Sequence, residues 1–341
     1  MPATWLLGIC MSTDSLSTLY KNSLVWDAHA GIFPAVDADL SHVTDWVEAG
    51  VDFVSINIGF DVLDWTETVA VLSAYRCKLR EMSEHVCLID NLDDVKHAKQ
   101  TGKLAVSFDI EGLKALNNDV GMVSVYYDLG VRQMLFAYNL NNAGSSGCHD
   151  VDHGLTDFGK SVVKEMNRIG MTIDLSHVGY LSSMDIIELS EKPVVFTHSN
   201  PRNLWDHERN IKDEQIKACA EKGGVIGVNG MGIFLGDNDV SAETFANHVC
   251  YIADLTAPEY VCFGLDWKPR MKSATDLGAI LSSRPDYWPA GQQYDTPELK
   301  IFSPNQLIDA LVILQARGWS DAQLQGFLGE NFMRVVEKTW H

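Results

Sequence analysis

Eight apolar, β-branched runs recur along this 341-residue chain, most of them spaced widely enough for a helix in between. They are Val25–Ala30 (VWDAHA), Val51–Gly59 (VDFVSINIG), Leu104–Ile110 (LAVSFDI), Arg132–Asn139 (RQMLFAYN), Met171–His177 (MTIDLSH), Pro193–His198 (PVVFTH), Gly224–Asn229 (GVIGVN) and Tyr260–Asp266 (YVCFGLD). Their hydrophobicity is continuous rather than alternating, which suits parallel strands buried on both faces. Helices are predicted between them. Gly159–Ile169 repeats apolar residues at helical spacing and stops at Gly170, Leu181–Glu191 is followed by Pro193, and Asp213–Lys222 ends at Gly223. Eight strands alternating with helices imply a (β/α)₈ barrel, with a doubly wound open sheet as the alternative.

No repeat, low-complexity tract or linker divides the chain, so residues 1–341 read as one domain. Residues 268–297 read as a long loop or lid after the last strand, and residues 305–339 as a closing helical region. The formal charge of −20 repels phosphates and argues against a nucleic-acid partner. Seven scattered cysteines without a Cys-x-x-Cys point to a reducing compartment, and the cytoplasm is the expected location. No apolar run approaches the roughly 20 residues that span a bilayer. The opening MPATWLLGICMSTDSL lacks the basic region of a signal peptide, and Met11 is an alternative start.

Barrel enzymes place their chemistry at the C-terminal ends of the strands. Those ends carry His29, Glu111, Tyr138, His177, His198 and Asp266. Three imidazoles and two carboxylates form a usual ligand set for Zn²⁺ or a similar ion, which activates water and polarises a carbonyl. Glu111 is placed to bridge two ions, and Asp266 to carry a proton from water to a leaving amine. The histidines and acids of GCHDVDHGLTDFG (His149, Asp150, Asp152, His153) fall between a strand and its helix and read as an active-site loop rather than a separate metal site. GGVIGVNG lies along a strand, so it fails as a dinucleotide fingerprint. Trp267 and Trp288 default to core or lid.

The stretches EMNRIGMTIDLSHVG, THSNPRNLWDHERN and GGVIGVNG, and more weakly DAHAG, FDIEG and FGLDW, resemble the membrane (renal) dipeptidase family of zinc peptidases. That family is a (β/α)₈ branch of the amidohydrolase superfamily. The resemblance implies that Glu111 bridges two metals, that His177 and His198 complete the second, and that Arg209 grips a substrate carboxylate. It implies that Asp266 is the catalytic aspartate, and it suggests a homodimer.

Two positions depart from the family pattern. Its first motif is His-x-Asp, but here Gly31 follows His29 by two residues, removing a carboxylate ligand of the first metal. Where the dipeptidases carry a histidine thought to steady the oxyanion, this chain has Tyr138, whose hydroxyl either donates to an oxyanion or fills the pocket wall. The expectation is a zinc hydrolase, with one or two ions, of a dipeptide or small amide bearing a carboxylate. The alternatives are a mononuclear hydrolase or lyase acting on another small molecule such as a lactone, and a non-catalytic descendant.

Overall fold

Each of the eight apolar runs forms a strand in the computed structural model, which describes residues 13–269 and 277–340. The strands are β1 (Trp26–Ala30), β2 (Phe53–Phe60), β4 (Leu104–Glu111), β5 (Val131–Leu135), β6 (Thr172–Asp174), β7 (Val194–Phe196), β8 (Val225–Val228) and β9 (Val261–Phe263). The sequence reading missed β3 (Val86–Leu88). This strand has only three residues, two of them half-buried, so it gives no long apolar run. It pairs with the first residues of β4 and stands off the main path.

That path runs β1-β2-β4-β5-β6-β7-β8-β9, with every pairing parallel. The seam between β9 and β1 is closed just beyond the strands. Gly31 N donates to Trp267 O (2.9 Å) and Asp266 N to His29 O (3.1 Å), while Ala30 and Trp267 form a parallel bridge. Buried Asp27 ties the same seam from below, accepting Leu265 N (2.9 Å) and Trp46 Nε1 (3.0 Å). The sheet is therefore a barrel and not a doubly wound open sheet.

Most strands are shorter than the runs that announced them, although β4 extends one residue further, to Glu111. His29 and Glu111 lie within β1 and β4, but Tyr138, His177, His198 and Asp266 sit on the loops that follow β5, β6, β7 and β9. The backbone turns sharply at or beside three of them, with φ of 59° at Asn139, 65° at His177 and 53° at Asp266. Left-handed backbone at non-glycine residues costs about 1–3 kcal/mol each and persists only where the surroundings hold it.

Helices cover the barrel as the spacing predicts. The helix Asp157–Ile169 buries Val162, Val163 and Met166, ends at Gly170 (φ 89°), and starts where Thr156 Oγ1 accepts Gly159 N (3.1 Å). Thr156→Ala is expected to lower stability by about 1 kcal/mol in urea titration, with turnover unchanged. The predicted closing region contains the helices Leu307–Ala316 and Asn331–Thr339. The latter shuts the N-terminal end of the barrel, where Trp26 stacks on Phe53 (3.6 Å between centroids) and Phe332 (5.2 Å). The opposite end is left for chemistry. The opening segment with Met11, and residues 270–276 of the expected lid, lie outside the described residues. Among the described residues no helix is long and apolar enough to cross a membrane.

Candidate metal centre

Three imidazoles converge on one carboxylate oxygen. Glu111 Oε1 lies 3.6 Å from His29 Nε2, 3.4 Å from His177 Nε2 and 3.3 Å from His198 Nε2. His29, Glu111 and His198 are the tightest group, with ligand atoms all within 4.8 Å of one another. The His29 and His198 rings stack in parallel at 3.9 Å.

Each ring is held from behind so that Nε2 faces inward. His177 Nδ1 donates to Asn139 Oδ1 (2.6 Å), and Asn139 Nδ2 donates to Tyr287 O (2.8 Å), which fixes the orientation of the amide. The Thr197 hydroxyl donates to buried Asp174, so its oxygen accepts from His198 Nδ1 (2.7 Å). His29 Nδ1 faces Asp109 Oδ1 at 3.4 Å, and Asp109 Oδ2 accepts Ser55 Oγ (2.6 Å). Outer groups of this kind fix the tautomer of a metal-ligating histidine. His198 Nε2 is buried and has no hydrogen-bond partner among the described residues. An inward lone pair beside a carboxylate and two further imidazoles fits a divalent cation, and the mix of nitrogen and oxygen donors suits zinc.

The electrostatics lead to the same conclusion. Burial pushes Glu111 up to about 8, despite the opposing His29 charge. Burial alone would lower His29, but Asp109, Glu111 and Asp266 outweigh it and lift the imidazole to about 10. His177 and His198 are pushed well below the usual histidine range, first by burial and then by the positive charges of Arg209 and His29. A proton on His29 thus stands where a metal ion would place its charge.

Beside this cluster opens a cavity of about 220 Å³. His29, Glu111, His177, Asp266 and Tyr138 form its polar side, and apolar residues including Phe60, Phe234 and Trp288 line the rest. Asp266 Oδ1 is 3.8 Å from His29 Nε2, and its Oδ2 accepts Asn229 Nδ2 (3.2 Å). Burial, and next the Glu111 charge, raise the Tyr138 pKa well above the usual phenol value. The Tyr138 backbone is set by Asp61, whose Oδ2 accepts Tyr138 N (3.1 Å) and Asn142 Nδ2 (2.8 Å).

Arg209 does not line this cavity. It is 2% exposed and donates from Nη1 to Ser199 Oγ (3.0 Å) and from Nη2 to His198 O (2.7 Å). It lines a smaller adjoining cavity of about 170 Å³, and His177 forms part of both walls. Lys268, which the sequence reading passed over, is an exposed cation on the wall of the larger cavity. Asp61, Asp109, Asn139 and Asp174 were also missed. Asp109 and Asn139 stand within two residues of a proposed ligand or catalytic residue, and Asp174 three before His177; that adjacency was the available signal. In the GCHDVDHG loop, His149 binds Glu208 Oε2 (3.1 Å) and Tyr294 OH (2.7 Å).

A parallel (β/α)₈ barrel with a carboxylate–imidazole cluster at its C-terminal end has the architecture of the metal-dependent amidohydrolases. The profile described as Membrane dipeptidase (Peptidase family M19) matches residues 35–281, and the chain belongs to that family. An uncharacterized dipeptidase of Schizosaccharomyces pombe is 27% identical over 286 residues, covering 82% of this chain but only 63% of the relative's length. Among solved structures, an amidohydrolase from Pseudomonas aeruginosa is 25% identical, with a TM-score of 0.86 over 95% of this chain and 99% of its own. A metallopeptidase from Rhodobacter sphaeroides, bound to a phosphinate mimic of the dipeptide L-Ala-D-Ala, shares the fold at 17% identity, with a TM-score of 0.75 over 94% of this chain and all of its own.

Proposed function

We propose that this chain is a zinc-dependent hydrolase of a dipeptide or small amide carrying a free carboxylate. One observation carries the reading. Three inward-facing Nε2 atoms meet a single Glu111 oxygen on the wall of a cavity that also presents Asp266 and Tyr138. His29, Glu111, His177 and His198 would hold the metal, which supplies a lowered pKa to water and polarises the amide carbonyl. Asp266 Oδ1 takes the proton of the attacking water and returns it to the departing amine nitrogen. The Tyr138 hydroxyl donates to the oxygen that gains charge. Arg209 reaches the substrate carboxylate from the smaller cavity, where a planar, permanently charged fork suits it. A reducing, cytoplasmic setting follows from the cysteine pattern, and assembly as a homodimer rests on the family resemblance.

Elemental analysis of protein purified without chelator is expected to give close to one zinc per chain. The missing carboxylate at Gly31 and the compact His29–Glu111–His198 group both support a single ion. A value near two would instead assign the centre to the binuclear type. A zinc-loaded protein that hydrolyses no carboxylate-bearing dipeptide or amide in a broad panel would sink the proposal.

Metal uptake should release protons. Ligating groups must give up their protons, while burial raises Glu111 and the surrounding carboxylates raise His29, so the metal-free pair holds at least one proton at pH 7. Titration calorimetry in buffers of different ionisation enthalpy is expected to show at least about one proton released per zinc at pH 7, with affinity rising as pH rises. Uptake without proton release would contradict a proton held at the ligand position.

Arg209→Lys keeps the charge but loses the fork. It is expected to raise KM about tenfold for carboxylate-bearing substrates, with a much smaller effect on amides that lack the carboxylate. Equal effects on both substrate types would remove Arg209 from carboxylate recognition.

A further inference from the structure

A turn at residues 284–288 presses two aromatic side chains against the loops at the C-terminal end of the barrel. Tyr287 is 2% exposed and Trp288 8%. The Tyr287 hydroxyl donates to Asp61 O (2.7 Å) and accepts Lys114 Nζ (3.0 Å), so this residue is anchored on β2 and β4 loops far from it in sequence. Its carbonyl is the group that accepts Asn139 Nδ2. Beside it, Trp288 Nε1 donates to the Tyr138 hydroxyl oxygen at 3.1 Å. Phe60 packs edge-on against the Tyr138 ring (5.1 Å), and His177 lies 4.5 Å from it, so the phenol ring itself has little freedom.

What remains free is the direction of the hydroxyl hydrogen. An indole N–H can only donate, whereas a phenol can donate or accept. With Trp288 Nε1 donating to the Tyr138 oxygen, the hydroxyl hydrogen does not point at the indole, and Tyr138 lines the cavity together with Glu111 and Asp266. We propose that Trp288 is a positioning residue, whose indole N–H makes the Tyr138 hydroxyl a hydrogen-bond donor toward the reacting carbonyl. The inference rests on the reading of Tyr138 as the oxyanion donor. It also gives this turn a chemical task beyond lining the cavity. Without the indole, the hydroxyl samples other directions, and only part of the population aims it at the carbonyl. Losing an oxyanion donor outright lowers kcat roughly 10²–10³-fold. Leaving the donor in place but unaimed should cost less, about tenfold.

The test is a double-mutant cycle on the zinc-loaded protein, comparing Trp288→Phe, Tyr138→Phe and the two together. Two quantities are read: turnover of a carboxylate-bearing dipeptide, and affinity for a phosphinate dipeptide mimic whose tetrahedral oxygens stand where the oxyanion forms. Trp288→Phe is expected to lower kcat about tenfold with KM little changed, and to weaken the phosphinate by a similar factor. In the Tyr138→Phe background the same change should alter neither quantity further. Additive losses would mean that Trp288 acts independently of Tyr138, and the proposal would fall. Trp288→His adds a readout that packing alone would not give, because its ring is smaller but keeps an N–H. It should retain more turnover than Trp288→Phe, and the reverse order would show that ring volume governs. Coupling in phosphinate binding without hydrolysis of any dipeptide keeps Trp288 as the group that orients the Tyr138 hydroxyl and removes the hydrolase reading. Hydrolysis with additive losses does the converse, and a protein that neither binds the mimic nor hydrolyses a dipeptide overturns both.

Discussion

Glu111→Gln is expected to empty the metal centre and lower kcat/KM at least about 10³-fold, equivalent to about 4 kcal/mol of transition-state stabilisation. Glutamine preserves the shape of the side chain, so packing around this 7%-exposed position should survive. The lost component is the charge. Three imidazole nitrogens face Glu111 Oε1 at 3.3–3.6 Å, and among the described residues no other carboxylate approaches all of them. Asp266 comes within 3.8 Å of His29 only, and Asp109 faces the opposite nitrogen of the same ring. Zinc should raise the melting temperature of the wild type, because it binds the folded state, and should leave that of the variant unmoved. Chelation of the wild type should reproduce the turnover loss. If Glu111→Gln kept stoichiometric zinc and normal turnover, the convergence on Glu111 would not be a metal site.

The expectation stands on residues that the sequence already exposed, for a physical reason. Barrel strands buried on both faces leave long apolar runs, and a polar residue at the end of such a run is conspicuous. His29 and Glu111 were found in this way, within β1 and β4. His177, His198 and Asp266 were found by the same signal, although the strands stop two or three residues earlier and left-handed turns at His177 and Asp266 aim the side chains inward. Turns of that kind are set by tertiary contacts and leave no period to read. The support behind the site was still less legible. Asp61 reaches Tyr138 across 77 residues and Trp288 reaches it across 150, and neither belongs to a recurring pattern. The strand β3 was lost for the opposite reason, being too short to show a pattern of any kind.

Placing at position 31 the aspartate that the family resemblance implies is the obvious repair of a proposed first metal site, and it is expected to fail. Gly31→Asp should destabilise the protein by more than about 3 kcal/mol and should not raise the zinc content. A Cβ at this position would lie 2.6 Å from Asp266 Oδ1 and 2.8 Å from Asp266 C, and closer still to Asp266 O. The backbone has no room to retreat, because Gly31 N donates to Trp267 O and Asp266 N to His29 O, which are the bonds that close the barrel seam. An added carboxylate would also be set against that of Asp266, so the metal side would gain repulsion along with a ligand. Gly31→Ala separates the two effects. It carries the same Cβ without the charge and should lose most of the same stability in urea titration. If instead Gly31→Asp melts like the wild type and takes up a second zinc, then Asp266 yields to the new side chain and Gly31 marks only a deleted ligand. If both variants lose stability and neither gains metal, the glycine is a requirement of how this barrel closes, and Asp266 occupies the space that an aspartate at position 31 would need.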